Sequence, residues 1–562
     1  MIPATIATAV APETIARVTR LFNNTAHDVI CELLQNARRA GASLIEVTIQ
    51  TAGADTFLHV TDDGHGIADP AAVLTLGRSG WSDDTRRAED PAGMGVFSLA
   101  GRDVIIRSFS KPDRQGWMAH IPAAAWETSR PIAVSSDPIA RGTAITVRVP
   151  DAWQANLARD IARAAIHCPV PVTLDGTAVA QEDWLKDADH IETWNGTRIG
   201  VFNKHPSHYS SRDHRLNFHG VTLPCDLPHV QEVDRGGHWI ARVDIFDAPR
   251  IQLVLPARKE VVENDGIADL RQAVKAAIFR AIAERGTHRL SHHDWTEAAA
   301  LGIPLPEAER YLFGWHAPAA DYSRNYESGT RIDDRSMVLM PDFDALVAIP
   351  AEAAIMKRNP FGGPLVEAQS AFKGYGWYDV LARVEDLRFR VQQAGRVFIV
   401  SDSKEAPPEA EDGWVDAIEL LATIAHAGAF VEVACEAEVA FAPDQFSCNS
   451  ADETSIFVTR DSGIASGTVA DLLESAVFYA SDDSDADSYS TQQERFQSEA
   501  SERIIGLLEG DDAALENRIR ELLASHYFLI PADRTVTVIA NRDRLEVMIA
   551  PRDVPAPTPE AA

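Results

Sequence analysis

Apolar and polar positions alternate with two different periods in the first part of the chain. Residues 13 to 40 carry apolar side chains at helical spacing, whereas the segments 44–50 and 56–61 alternate residue by residue. The first period predicts a helix and the second predicts two strands. Strands are also predicted over 103–109 and 142–150, which indicates an α+β sandwich with helices on one face of a mixed sheet.

Residues 77 to 101 interrupt this pattern with a glycine-rich, charged and irregular stretch that passes into apolar positions. A structureless loop of this length inside a compact domain is usually functional or disordered. We therefore expect a loop at its start and an apolar helix that opens at Gly93 and Gly95.

A second α/β unit is predicted between residues 151 and 290. Helical spacing recurs over 155–168 and 266–286,. The segments between these helices that alternate as strands are 171–179, 197–203, 238–246 and 250–256,.

The remaining chain gives weaker signals. Residues 413–428 predict a helix, 429–441 predict a strand, and the acidic stretch 480–490 predicts a solvated linker before two helices and a closing pair of strands,. These patterns divide the chain into five parts: a first domain at 1–150, a second at 151–290, a middle α/β region at 291–480, a small α/β element at 491–550 and a disordered tail at 551–562,.

Composition and charge restrict the classes of function. The chain has 562 residues, of which 45% are hydrophobic and 24% are charged, as is typical of a globular protein,. The net charge of −31 disfavours a protein that coats DNA or an anionic membrane, although a local basic patch is compatible with it,. No long apolar run or basic N-terminal flank occurs, and the five cysteines lack disulfide or zinc spacing,. We therefore expect a cytoplasmic protein without a signal peptide or membrane segment.

Glu32 and Asn36 stand four residues apart in the first predicted helix, so their side chains project from one face,. An amide oxygen suits Mg²⁺, which prefers oxygen ligands, and a neighbouring carboxylate could deprotonate an attacking water. Taken alone, such a pair is more often part of a solvated helix face.

Asp62, Gly64 and Gly66 form a D-x-G-x-G turn after the second predicted strand. Asp-Gly is a common turn dipeptide, which is the simpler interpretation. In a binding site, Asp62 would accept a hydrogen bond from the exocyclic amine of a base, while the glycines would let the ring approach the backbone.

Two further signals are weak by themselves. Gly93 and Gly95 precede the predicted apolar helix, whose first backbone amides would form an anion site for phosphates,. Thr143 follows Gly142 at the start of a strand, where its hydroxyl is either a ligand contact or an ordinary sheet hydroxyl.

Together, E-x-x-x-N, D-x-G-x-G, a glycine-rich segment and G-T appear in an order and spacing that resembles the Bergerat ATP-binding fold. This fold defines the GHKL superfamily of gyrase B subunits, ninety-kilodalton heat-shock chaperones, histidine kinases and MutL. The resemblance covers about residues 10 to 150. The more than 400 residues that follow disfavour a histidine kinase and favour the chaperone and MutL branch.

The resemblance implies ATP and Mg²⁺ as ligands and gives each motif residue a role. Glu32 would be the general base, Asn36 the metal ligand and Asp62 the adenine reader. The other contacts that it implies are Gly64 and Gly66 at the base, Thr143 through a bridging water, and Gly93, Gly95 and the amides of Val96 and Phe97 at the phosphates. Residues 77–92 would form a lid over bound nucleotide.

Arg39 departs from this pattern, because many chaperone and MutL members carry an aspartate three residues after the asparagine. Because of this difference, the resemblance does not determine which groups would surround the metal and the lid.

Residues 250–270 resemble the transducer element of MutL. Alignment on Pro256 and Glu260 puts Arg258, with Lys259 next, at the basic position that would reach the γ-phosphate,. The alternative is a surface Arg-Lys pair at the end of a strand.

We therefore expect an ATPase of the chaperone and MutL type. ATP would order the lid, pair the N-terminal domains of two copies as a homodimer, and change the conformation of a C-terminal half that acts on an unknown protein client. One alternative is a nucleotide-gated scaffold with little hydrolysis in a multi-protein system such as phage defence. Another is a DNA-handling ATPase of the MutL or microrchidia kind, with a basic channel and salt-sensitive DNA binding.

Two polar or aromatic segments of the C-terminal half have structural interpretations. Residues 291–295, SHHDW, predict a polar loop, since they lack partners at metal-ligand spacing,. The aromatic residues of 373–380, KGYGWYDV, are predicted to pack and not to bind bases,.

Overall fold

The chain folds into two compact units, Met1–Glu309 and Arg310–Ala562. This structure is a computed structural model. The residues that it describes are 25–73, 75, 80–81, 95–127, 131–204, 215–234, 236–254, 260–321, 329–401, 406–443, 451–483, 486–524 and 526–552. The boundaries of the five predicted parts stay predictions.

An eight-stranded mixed sheet is the first layer of the N-terminal unit. Its strands are β1 Ile45–Ala52, β2 Asp55–Asp62, β3 Val104–Ser110, β4 Gln115–Ile121, β5 Val134–Asp137, β6 Thr143–Arg148, β7 Val172–Leu174 and β8 Thr177–Ala178. They lie in the order β5-β4-β3-β6-β2-β1-β7-β8, and β1 and β7 are parallel. The sheet therefore uses chain from both sides of residue 150.

Helices pack on one face of this sheet. They are α1 Ala26–Arg39, α2 Pro70–Val73, α3 Asp151–Gln154 and α4 Leu157–Ala165. Ile45 and Val47 of β1 are buried in the core that β1 shares with α1 and α4. The alternate residues Glu46 and Thr48 are exposed on the other face of the sheet. Thr25 caps α1 by accepting a hydrogen bond from the backbone N–H of Asp28 at 3.2 Å,. This layering confirms the predicted α+β class and the strands predicted in this segment.

A second sheet and a long helix complete the N-terminal unit. The strands are β9 His190–Trp194, β10 Thr197–Lys204, β11 Arg215–Phe218, β12 Val221–Pro224, β13 Val230–Gln231 and β14 His238–Ile245, and the helices are α5 Asp265–Arg285 and α6 His292–Ala300. The sheet order is β12-β11-β14-β10-β9, with β13 beside β14. The buried face of α5, which includes Leu270, Val274 and Ile278, shares one core with this sheet.

Two predictions in this region are wrong in detail. The described part of 250–256 forms no regular strand, and Leu253 makes only an isolated bridge to Val261. Residues 291–295 are not a loop, because Ser291 accepts a hydrogen bond from Asp294 N at 3.1 Å and thereby caps α6,.

The C-terminal unit is built around a mixed sheet. The strands of this unit, which belong to four sheets among the described residues, are β15 Leu312–Phe313, β16 Arg331–Ile332, β17 Val338–Met340, β18 Leu365–Glu367, β19 Ala382–Gln393, β20 Arg396–Val400, β21 Gly413–Val415, β22 Ala417–His426, β23 Ala429–Ala437, β24 Val439–Pro443, β25 Thr454–Thr459, β26 Arg534–Asn541 and β27 Arg544–Pro551. Its helices are α7 Ala345–Lys357, α8 Gly376–Asp379, α9 Ser466–Val477, α10 Tyr489–Glu509 and α11 Asp511–Ala524. The main sheet has the order β18-β17-β19-β22-β23, with β20 beside β19.

The helix predicted over 413–428 is wrong, because these residues form β21 and β22. Ile418, Leu420 and Ala422 are buried on one face of β22, which is a period of two,. By contrast, the predicted packing role of the 373–380 aromatics is confirmed, since Tyr375 and Tyr378 are fully buried. The two late helices and the closing strand pair are also confirmed as α10, α11, β26 and β27.

Large apolar side chains are exposed at the end of the C-terminal unit. They are Leu515, Ile519, Leu522, Leu523, Tyr527, Phe528, Leu529, Ile530, Val538, Ile539, Leu545, Val547, Met548 and Ile549. We call these side chains the apolar C-terminal surface. In the part of the chain that the structure describes, no helix has the length and apolar content to cross a membrane.

Candidate nucleotide site

A cavity of about 390 Å³ lies beside α1 and the end of β2 in the N-terminal unit. The predicted site residues that line it are Glu32, Asn36, Asp62, Gly66, Gly95, Val96 and Thr143. The antiparallel pairing of β2 with β6 sets Asp62 opposite Thr143. Residues far apart in sequence thus surround one space.

Glu32 and Asn36 are half-buried on the face of α1 that lines the cavity. The Oε2 atom of Glu32 is buried and has no hydrogen-bond partner among the described residues. Buried polar atoms without a partner are uncommon and destabilising. This carboxylate therefore has unused hydrogen-bonding capacity inside the cavity wall.

Asp62 and Asp63 are neighbours with opposite electrostatic surroundings. Burial raises the pKa of Asp62 to about 6, against the opposing effect of hydrogen bonds from the backbone of Gly64 and Thr143,. Hydrogen bonds from the Ser43 hydroxyl and backbone lower the pKa of Asp63 to about 2. Asp63 fixes the start of β1, whereas Asp62 presents its carboxyl group to the cavity.

The turn after β2 is held by backbone and hydroxyl contacts. Gly64 does not line the cavity, but its N–H donates to Oδ1 of Asp62 at 2.9 Å. Gly66 has φ +75°, and a side chain there would collide with the Phe109 carbonyl oxygen,. This position therefore requires glycine.

Ser108 joins this turn to β6. Its hydroxyl accepts a hydrogen bond from Ile67 N at 2.8 Å and lies 2.9 Å from the Thr143 hydroxyl. Ser108 is fully buried, and Thr143 is buried at the cavity wall. The hydroxyl of Thr143 thus has a sheet partner as well as access to the cavity.

The apolar helix predicted to open at Gly93 and Gly95 is wrong, because the described part is a 3-10 turn, Gly95–Leu99. Arg102 donates hydrogen bonds to the carbonyls of Ser98 and Ala100, and Gly101 at φ +77° turns the chain toward β3,. So short an element does not have the N-terminal dipole of a full helix.

Gly95 approaches α1 closely. A Cβ atom at this position would lie 2.7 Å from Oε2 of Glu32 and 3.4 Å from Nδ2 of Asn36. Only a residue without a side chain lets the turn lie over this pair without displacing it.

Val96 and Phe97 follow Gly95 but have different surroundings. Val96 lines the cavity, whereas Phe97 is buried in the core and contacts Trp126 edge-on, with ring centroids 6.0 Å apart. The Phe97 side chain is therefore a packing group.

Several residues that line the cavity were not assigned to it from the sequence. They are Arg39, His65, Asp69, Trp81 and Lys111. His65 stands between the two glycines of the D-x-G-x-G motif, so the motif itself could have pointed to it. Lys111, in the turn between β3 and β4, has no such signal in the sequence.

Gly93, Arg258 and Lys259 lie outside the described residues, as does most of the predicted lid at 77–92. Within the described ranges, no group of three or more His, Cys, Asp or Glu side chains is arranged to hold a metal ion. The oxygens available to a cation in the cavity are those of single side chains such as Asn36.

Comparison with known proteins gives limited matches. No protein-family model and no curated protein matches this chain. Among solved structures, the ATPase region of Saccharomyces cerevisiae topoisomerase II is similar to it with a TM-score of 0.32 and 10% sequence identity. That match covers 47% of this chain and 85% of the topoisomerase chain.

Proposed function

We propose that the N-terminal unit binds ATP with Mg²⁺ in the 390 Å³ cavity and hydrolyses it to ADP and phosphate. The observation that carries this proposal is the buried, unpartnered Oε2 of Glu32 in a wall shared with Asn36. A carboxylate kept for structure alone would be expected to have its oxygens paired.

At the base end of the cavity, Asp62 accepts a hydrogen bond from the exocyclic amine of adenine. The positive φ of Gly66 lets the ring approach the backbone of the turn,. The apolar walls supplied by Val60, Ile67 and Val73 support burial of an aromatic ring,. The volume of the cavity is within the usual range of about 300–1,000 Å³ for small-molecule sites.

At the phosphate end, Asn36 would hold Mg²⁺ through its amide oxygen, which keeps one lone pair beyond its bond with Arg39,. Bound Mg²⁺ would neutralise charge on the β- and γ-phosphates. Glu32 orients the attacking water and takes its proton. Arg39 adds a fixed positive charge beside Asn36,.

The direct test measures ATP binding and phosphate release separately for the full chain and two variants. Glu32→Gln is expected to keep ATP binding but to slow hydrolysis roughly 100-fold or more, because it removes the general base. Asp62→Asn is expected to weaken ATP binding, since the amide presents a donor as well as an acceptor to the base.

Glu46→Gln is the matched control, because Glu46 is an exposed carboxylate on β1. It should retain wild-type binding and hydrolysis. Hydrolysis by both Glu32→Gln and Asp62→Asn at the wild-type rate would overturn the assignment of these residues.

A nucleotide-gated scaffold is the second candidate, favoured by the cover that Gly95 places over Oε2 of Glu32. A buried carboxylate oxygen is poorly placed to take a proton from water until the turn moves. Tight ATP binding with no phosphate release by the wild-type chain would favour this function.

The wider proposal is a molecular clamp of the chaperone or MutL kind, with ATP-dependent pairing of two copies. Exposed aliphatic and aromatic groups on the apolar C-terminal surface support a protein partner or client for the C-terminal unit, because large exposed apolar patches usually mark interaction sites,. Sedimentation of the full chain with and without a non-hydrolysable ATP analogue tests the pairing. An unchanged mass at concentrations that saturate the site would contradict it.

A further inference from the structure

A second cavity, of about 210 Å³, lies on the other side of α1. The polar and aromatic residues that line it are His27 and Cys31 of α1, Arg163 of α4, Arg215 of β11, and the loop residues His167 and Trp184. No carboxylate is among its lining residues in the described chain. Two arginines in a cavity without a carboxylate are unusual in a protein whose net charge is −31.

The arginines of this cavity lack the acidic partners that others in the same unit have. Arg271 pairs with Glu263 at 2.7 Å, and Arg280 pairs with Glu192 at 2.6 Å. Within the described ranges, Arg163 and Arg215 form no ion pair, and Arg215 donates only to the Thr222 carbonyl at 2.9 Å.

The positive groups also act on one another. Burial and the neighbouring Arg163 guanidinium lower the pKa of Arg215. Arg163 is exposed and Arg215 is half-buried, and an anion at this wall would offset the repulsion between their guanidinium groups,.

Two buried nitrogen atoms on this wall have no hydrogen-bond partner among the described residues. They are Nε1 of Trp184 and Nε of Arg215. Trp184 is only 3% exposed, so solvent does not satisfy its N–H. Concentration of unpaired nitrogens on one cavity wall is expected where a ligand supplies the acceptors.

We propose that this cavity is a second binding site, for a phosphoryl dianion. Arginine forms paired hydrogen bonds with phosphate oxygens, and imidazole and indole N–H groups add further donors. A single water molecule needs about 10–15 Å³ of cavity volume. A cavity of about 210 Å³ therefore accommodates a phosphate and several more atoms,. Free phosphate and the phosphate of a small ester share this chemistry.

The site is separate from the proposed ATP pocket but shares a helix with it. Cys31 in this wall is followed directly by Glu32 in the other. On the second sheet, the turn after β11 also lines the phosphoryl site through Gly220. A ligand here would therefore contact α1, α4 and β11 together.

The test uses inorganic phosphate and ribose 5-phosphate as probes, measured by calorimetry on the full chain at constant ionic strength. Ribose 5-phosphate has no base for Asp62 to recognise, and the two probes distinguish a free anion from an ester. Arg163→Gln/Arg215→Gln is expected to weaken binding of the preferred probe at least tenfold. Asp62→Asn should leave it unchanged while weakening ATP binding, which separates this site from the proposed function.

Arg271→Gln is the control for loss of one arginine elsewhere in the unit, and it should bind the probe like wild type. Histidine NMR of the wild-type chain gives a readout that needs no arginine variant. The pKa of His27 is lowered by burial and by Arg163, while a hydrogen bond with the Asp160 backbone and the charges of Asp28 and Asp160 raise it. A bound dianion should move the His27 pKa upward, with His27→Gln identifying the signal.

Equal binding by wild type and Arg163→Gln/Arg215→Gln would overturn the proposal. The proposal would also be overturned if wild type showed neither calorimetric binding nor a change in the His27 pKa at millimolar phosphate and ribose 5-phosphate. If the double variant loses its thermal unfolding transition, Arg163→Lys/Arg215→Lys, which keeps the charge, replaces it in the same comparison.

Discussion

Nη1 of Arg39 lies 3.2 Å from the amide oxygen of Asn36 and donates a hydrogen bond to it. Nη2 of the same guanidinium lies 3.4 Å from Oε1 of Gln35, whose Nε2 donates to the Phe218 carbonyl on β11 at 3.4 Å. Arg39 is buried and lines the 390 Å³ cavity. Arg39 thus orients Asn36 and connects it to the second sheet through Gln35.

Arg39→Ala is expected to weaken ATP binding about tenfold, because a charge-assisted hydrogen bond and a cation near the phosphates are lost. Adenosine, which has no phosphates, should bind Arg39→Ala as it binds wild type. Calorimetry with both ligands makes the comparison. Equal losses for ATP and adenosine would mean that Arg39 only supports the fold.

ATP affinity is expected to fall as the pH is lowered through about 6, since the pKa of Asp62 is near 6 and its carboxylate is the better acceptor,. Asp62→Asn should remove this pH dependence. Titration of ATP binding between about pH 7.5 and about pH 5 measures it. A wild-type affinity that does not change over this interval would contradict the role of Asp62.

The same ionisation affects unfolding of the ligand-free protein in the opposite direction. Because its pKa is raised above the ordinary value of 3.8, Asp62 binds its proton more tightly in the folded state,. Its contribution to stability is therefore full below about pH 4 and is lost as the pH rises through about 6. The difference in unfolding free energy between wild type and Asp62→Asn should follow this pH window in urea titrations.

Gly95→Ala is expected to slow ATP hydrolysis roughly 10- to 100-fold, because its Cβ would displace the carboxylate of Glu32,. ATP binding should change less, since the base contacts at Asp62 are untouched. Gly467→Ala is the control, as no atom lies within 4 Å of a Cβ at that position. Wild-type hydrolysis by Gly95→Ala would show that the turn moves away during turnover.

Ser108→Ala is expected to lower the free energy of unfolding by about 1–3 kcal/mol, because the half-buried Ile67 N–H loses its acceptor,. It should also weaken ATP binding, since Ile67 is part of the cavity wall. Ser135→Ala, at an exposed position on β5, is the control for both measurements. Unchanged stability would indicate that water replaces the hydroxyl.

Local periodicity is sufficient for α1, β1 and β2, because buried positions recur along each of them with the period of the element,. It failed at β22, where Ala, Leu and Glu favour a helix by intrinsic propensity. There the chain pairs on both sides, Leu420 with Phe389 of β19 and with Cys435 of β23. Such pairing between distant segments overrides local preference and cannot be seen in a sequence window.

The candidate site was predictable where a motif encodes its own geometry. Spacing to the glycines distinguishes Asp62 from Asp63 in the sequence, and in the structure the pKa of Asp62 is raised whereas that of Asp63 is lowered. The role of Asp62 at a base stays a prediction. Ser108 was not predictable, because its role depends on the register that sets β3 beside β6. The direction of the Arg39 guanidinium depends likewise on tertiary packing.

The parallel pairing of Ile45 with Val172 and Val47 with Leu174 limits how the chain can be shortened. A fragment that stops at residue 150 would leave the outer edge of β1 unpaired, with its N–H and C=O groups open to strands of other molecules. It would also remove Leu157 and Ile161, which are buried in the core with α1. We expect such a fragment to aggregate, and one that ends beyond Ala178 to keep β1 paired with β7.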